Sequence, residues 1–153
     1  MKIISNTFML EYIPTTCQFV CVVNKKISAP QLINAVGHMS AGLVNQYQSD
    51  TSTMRFRDFF DKDETIHPST SENGFIVLRS ENSNQIRTLR NNLIKDKILF
   101  TDFTATMVHG TYVDQQNDFD TTPELDLEYF GICFFTDKEK ARELTKKFSL
   151  YLG

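Results

Sequence analysis

The sequence predicts an α/β domain: a mixed central sheet of four or five strands with three helices packed on it. Three observations carry this. Short apolar runs alternate with helical patterns along the chain, as in a sheet with crossover connections. Helix starts are marked by capping-box spacings at Ser28/Gln31, Asn82/Gln85 and Thr136/Glu139. The last two strands then follow each other across an acidic stretch, which implies that one of them runs antiparallel. At 153 residues the chain fits a single domain over 1–153, with an irregular N-terminal extension over 1–15.

Phe19 to Val23 is a short apolar run rich in valine, read as a buried strand. Ser28 opens the first helix, which runs to about Tyr47 with Leu32, Val36, Met39 and Leu43 as its core stripe. Gly37, Ala41 and Gly42 lie within it, and small residues there permit a close approach. Met54 to Phe60 alternates as a strand with Arg55 and Arg57 on one face. His67-Pro68-Ser69 and Asn73-Gly74 read as turns. Gly74 to Leu78 is the next strand, and the helix behind it buries Ile86, Leu89 and Leu93. Leu99 to Met107 alternates with Phe103, Ala105 and Met107 on one face and Phe100, Asp102, Thr104 and Thr106 on the other. As a straight strand it would separate Asp102 and Thr106 by about 13 Å. Tyr129 to Phe135 is apolar throughout, and the last helix buries Ala141, Leu144 and Phe148. The stretches 48–73 and 109–128 are long loops, expected to serve as lids, a binding surface or an oligomer contact.

Composition narrows the function. The formal charge is −3, so the chain lacks the broad basic surface that nucleic acid demands. No apolar run approaches a membrane span, and the N-terminus has no clean signal-peptide core. Cys17, Cys21 and Cys133 make an odd count, which reads as reduced thiols in a cytoplasmic protein. Cys17 and Cys21 would sit about 13 Å apart on one strand face, too far for a disulfide or a shared metal. His67 and His109 lack metal-ligand spacing, and no glycine-rich phosphate loop is present. No metal and no cofactor are therefore expected.

His38 stands on the first helix in polar and small company, and a histidine ordinarily changes charge near neutral pH. Asn34 lies one turn before it. Asp102, between Phe100 and Phe103, needs partners if buried. Arg55 and Arg57 offer rigid forks for a phosphate or carboxylate.

The segments CVVNKKISAPQLINAVGHMSAGL, NGFIVLRSENSNQIRTLRNN, FTDFTATM, ELDLEYFGICFF and LTKKFSL, in that order, resemble the domain-of-unknown-function 2000 family over about residues 17 to 150. That family is similar to the archaeal and eukaryotic type of peptidyl-tRNA hydrolase, so the resemblance implies a peptidyl-tRNA hydrolase type II-like fold. It also implies a site. His38 falls on the histidine of the hydrolases' first helix, and Asp102 and Thr106 on the aspartate and threonine of a later strand. Gln31 stands at their lysine and Pro30 at the glycine before it, while Phe103-Thr104 replaces an Ala-Gly. A glutamine supplies only a neutral donor where a lysine would stabilise phosphate or an oxyanion.

Three functional readings follow. In the first, the domain binds a small molecule or a protein partner at a cleft beside the first helix, through Gln31, Asn34, Arg55 and Arg57. In the second, it hydrolyses an ester or amide, with His38 activating water, Asp102 orienting it and a backbone or Gln31 donor facing the oxyanion; Thr106 is a further catalytic candidate. In the third, it is a homodimeric interaction module using an apolar loop surface around Phe56, Phe59 and Phe60.

Overall fold

The computed structural model of the chain describes residues 10–48 and 52–153. Positions 1–9 of the expected N-terminal extension, and 49–51 of the first long loop, lie outside the described residues. The elements run β1 (Cys17–Asn24), α1 (Ala29–Gln46), β2 (Phe56–Phe60), β3 (Ile66–Ser71), β4 (Phe75–Ser80), α2 (Ser83–Lys95), β5 (Phe100–Thr104), α3 (Tyr112–Thr121), β6 (Tyr129–Asp137), α4 (Lys138–Thr145) and β7 (Ser149–Leu150). Five strands form one mixed sheet in the order β5-β6-β1-β4-β7, and β2 pairs only with β3. β1 and β4 are parallel, while β6 is antiparallel to both β1 and β5. The domain is mixed α/β, as expected.

Alternation along the strands sorts the core into two layers. Phe19, Cys21 and Val23 of β1 pack with Phe103, Cys133 and Phe135 against Leu32, Ala35, Met39 and Leu43 of α1. Val20 and Val22 face the other way, with Ile132 and Phe134, against Ile86, Leu89 and Leu93 of α2 and Ala141 of α4. The helices α1 and α2 therefore cover opposite faces of the sheet. Glycine permits one tight contact beneath α1. A Cβ on Gly131 would lie 2.8 Å from the Met39 methyl carbon and 3.1 Å from the Val22 carbonyl oxygen.

Several expectations need correction. The stretch 109–128 is not a loop: it holds α3 and a 3-10 turn over Glu124–Asp126. Four helices are described, not three. His67-Pro68-Ser69 belongs to β3 rather than to a turn. There Pro68 and Ser69 oppose the single residue Asp58, so the proline sits at a bulge where no ladder hydrogen bond is lost. Ser69 adopts φ 56°, and its N–H donates to the Asp58 carboxylate at 2.8 Å. The strand of Leu99 to Met107 does not run straight. It stops at Thr104, and Ala105–Met107 coil into a 3-10 turn.

The helix starts also differ in detail. Ser28 flanks α1 without capping its backbone; its hydroxyl donates to the Gln31 side-chain carbonyl at 2.9 Å. Asn82 does cap α2, accepting from the Gln85 N–H. The last helix is capped by Asp137, not Thr136, which remains in β6.

Candidate functional site

A groove of about 510 Å³ lies between α1, the edge strand β5 and α3. Asn34 and His38 stand on one face of α1 because they are four residues apart. Both are exposed, and neither has a hydrogen-bond partner among the described residues. The His38 ring rests on Phe103 of β5, centroids 5.6 Å apart and planes tilted by 31°. Helix and strand are held together about two turns further on. Gln46 donates to the Phe100 carbonyl at 2.8 Å and to the Thr101 hydroxyl at 2.9 Å. Gly42 gives the space for this approach, since a Cβ there would meet the Thr101 methyl at 3.2 Å.

The far wall is α3, which contributes Tyr112, Gln115, Gln116 and Phe119. It buries no residue of its own. What holds it is its start. Gly110, at φ 73°, turns the chain, and Thr111 and Asp114 form a reciprocal capping box. Bonds from the Thr111 backbone N–H and hydroxyl hold the Asp114 carboxyl below the usual carboxylate range. Gln115 adds a bond to the Met107 carbonyl at 3.2 Å, tying α3 to the 3-10 turn that ends β5.

Asp102 borders this groove, but its carboxylate is engaged on the α2 side of the sheet. Arg90 of α2 donates to it at 2.8 Å, and the Arg90 guanidinium lies 5.5 Å from the Phe100 ring centroid. The pair is largely shielded, with side chains 20% and 27% exposed for Asp102 and Arg90. Close by, Arg87 donates to Glu124 at 3.0 Å and covers the Tyr129 ring at 5.4 Å. Burial and the bond to Glu124 push the Tyr129 phenol up. These groups clamp the 3-10 turn before β6 onto α2.

The sequence candidates therefore separate. Asn34, His38 and Asp102 all border the groove. Thr106 instead pairs its hydroxyl with that of Thr104 at 2.6 Å. Gln31, beside Ser28, does not line the groove. Arg55 and Arg57 grip their own chain. Both bind Glu72, Arg57 at 2.7 Å, and Arg55 also donates to the Ile13 carbonyl at 3.1 Å. Desolvation works to raise the Glu72 carboxyl, yet the two arginines outweigh it and hold it below its ordinary value. The imidazole on α1 and the Asp102 carboxylate, held on the α2 side of β5, thus form no acid–base pair, and the two arginines belong to the base of the β2–β3 hairpin.

Sequence reasoning missed Tyr112, Gln115, Gln116 and Phe119, because α3 buries no stripe that periodicity could detect. The available signal was Thr111-x-x-Asp114, a capping spacing closed by Asp rather than Glu or Gln. Arg90 was legible only as one of several cations on a helix. Its pairing with Asp102 required the two elements to meet.

No helix of the described residues is long and apolar enough to cross a membrane. No curated protein matches the chain. A solved structure of a protein of unknown function from Agrobacterium tumefaciens strain C58 is similar in fold, with a TM-score of 0.76 at 13% identity. The match covers 90% of this chain and 99% of that one. The family model for proteins of unknown function (DUF2000) matches residues 17–152. With nearly the whole chain matched, this protein belongs to the DUF2000 family.

Proposed function

We propose that the protein is a cytoplasmic binding domain whose ligand, a small molecule or a short segment of a partner, occupies the groove between α1, β5 and α3. One observation carries this reading: Asn34 and His38 are exposed polar groups without partners at the mouth of a hollow floored by Phe103. A ligand there meets amides, an imidazole and aromatic rings, and its nearest carboxylate is already neutralised by Arg90. That environment suits a neutral or weakly polar molecule with a flat ring. A thermal-shift screen with metabolites tests it. A hit should raise the melting temperature of the wild type and lose its effect in His38→Ala and Asn34→Ala. A hit whose effect survives both substitutions would place the ligand elsewhere.

The likeness to the peptidyl-tRNA hydrolase-like fold stays part of the proposal, supported by the order of the landmark segments and by a histidine on the first helix. Hydrolysis is the weaker form of it. His38 is placed to activate water, but the Asp102 carboxylate is held by Arg90 on the α2 side of the sheet and would have to leave it and turn to the α1 side to orient that water. A homodimeric role has its own support: Phe56, Phe59 and Phe60 are 44%, 52% and 65% exposed on the β2–β3 hairpin. If the hairpin joins two copies, Phe60→Glu should convert a dimer to a monomer in light scattering. A wild type that is monomeric at high concentration removes this reading.

A further inference from the structure

On the opposite face of the sheet, α2 and α4 enclose a second hollow of about 530 Å³. Its chemistry differs from that of the groove. Four lysines and two acids line it, in a chain whose formal charge is −3. The two acids are accounted for: Asp96 pairs with Lys140 at 2.8 Å, and Glu143 lies 3.3 Å from the same ammonium. Lys95, Lys146 and Lys147 have no hydrogen-bond or ion-pair partner among the described residues. Lys95 lies in the last turn of α2 and complements its dipole, whereas Lys146 and Lys147 stand in the turn that follows α4. The helix dipole does not account for three exposed, uncommitted ammonium groups, one from the end of α2 and two from the turn after α4, around one hollow. Together they give the mouth of this hollow a local positive potential that favours an anion.

The floor is apolar. Leu144 and Phe148 are half-buried and pack with Leu89 on the core behind them. Asn92 presents an amide on the same face of α2 as Leu89. A ligand satisfying these walls carries negative charge at one end and a flat or apolar body at the other. We propose that the α2–α4 cleft binds a phosphomonoester bearing a flat ring, of mononucleotide size, with the phosphate among Lys95, Lys146 and Lys147 and the ring over Phe148. The volume lies in the range of ordinary small-ligand sites. This site is independent of the α1 groove.

Calorimetric titration of the full chain with AMP, adenosine and inorganic phosphate tests the assignment. AMP should bind at least about tenfold more tightly than either half alone, because one charged contact is worth about that factor. Its affinity should fall as salt is raised. The double variant Lys146→Gln/Lys147→Gln should lose about tenfold or more, while Lys62→Gln, on the hairpin, and His38→Ala should bind AMP as the wild type does. If the double variant melts early, Lys95→Gln on the other helix takes its place. No AMP binding at millimolar concentration overturns the proposal, as does unchanged affinity in the lysine variants. Equal loss in Lys62→Gln would reduce the effect to general charge, and loss in His38→Ala would move the nucleotide to the other groove; either result ends the proposal. Binding of an RNA oligonucleotide without AMP also refutes it.

Discussion

The two hollows of this domain sit on opposite faces of one sheet and differ in what their charges are doing. In the α1–α3 groove the one carboxylate is spoken for by Arg90, and the groups left without partners, Asn34 and His38, are amide and imidazole. In the α2–α4 cleft the acids are spoken for by Lys140, and the charged groups left over are ammoniums, with the Asn92 amide beside them. The walls differ too. The cleft lies between helices that pack on the core, whereas one wall of the groove is a helix with no buried residue. A pocket's selectivity follows from the polar groups its own fold leaves unsatisfied, and its rigidity from how its walls are anchored.

The comparison can be broken most forcefully at Gly131. An alanine there pushes on the Met39 methyl and on the Val22 carbonyl, which cannot yield as a side chain can. Gly131→Ala should cost about 2 to 3 kcal/mol in chemical denaturation, with the groove face disturbed. A change below the error of the measurement would mean that α1 is free to shift. Asp102→Ala comes next. It leaves the half-shielded Arg90 without its carboxylate and should cost about 1 to 2 kcal/mol. Asp102→Asn keeps a hydrogen-bond acceptor and should cost less. If groove ligands nevertheless vanish in Asp102→Asn with folding intact, the carboxylate serves the groove and the contrast drawn above is wrong.

Smaller effects concern the loosely held wall. Thr111→Ala removes the cap of α3 and should cost about 1 kcal/mol locally. Amide exchange should quicken across Tyr112–Thr121 while α2 and α4 keep their protection. The smallest effect is one of pH. The Asp114 carboxyl is held low in the folded chain, so its contribution is complete above its unfolded value and is lost as pH falls through the folded one. α3 should therefore fray on acidification before the core does, and Asp114→Asn should remove that pH dependence. Uniform exchange across all helices at low pH would show that α3 is anchored by something else.

Much of this fold was legible. β1, β4 and β6 are apolar runs, and α1 and α2 carry clear stripes, because each is buried over its length or along one face. The elements that escaped notice bury little. α3 has no stripe, β3 is exposed and carries Pro68, and β7 spans two residues. The candidate site was half legible. The spacing of Asn34 and His38 follows from helix periodicity alone. The alternation of Phe100, Asp102 and Phe103 already put the aspartate on the face away from Phe103. Arg55, just before β2, and Arg57 within it reach the same carboxylate, Glu72, across the hairpin.

Local periodicity determined which residues form strands and helices and which way each side chain faces, since those depend on neighbours within a turn or two. Only the tertiary structure decided which charges cancel. Arg90 reaches Asp102 and Lys140 reaches Asp96 because the packing of elements that lie apart in the chain brings them within bonding distance, and α3 joins His38 in lining one groove for the same reason. The polar groups left over after that pairing, and therefore the chemistry each hollow offers, cannot be read from any one segment.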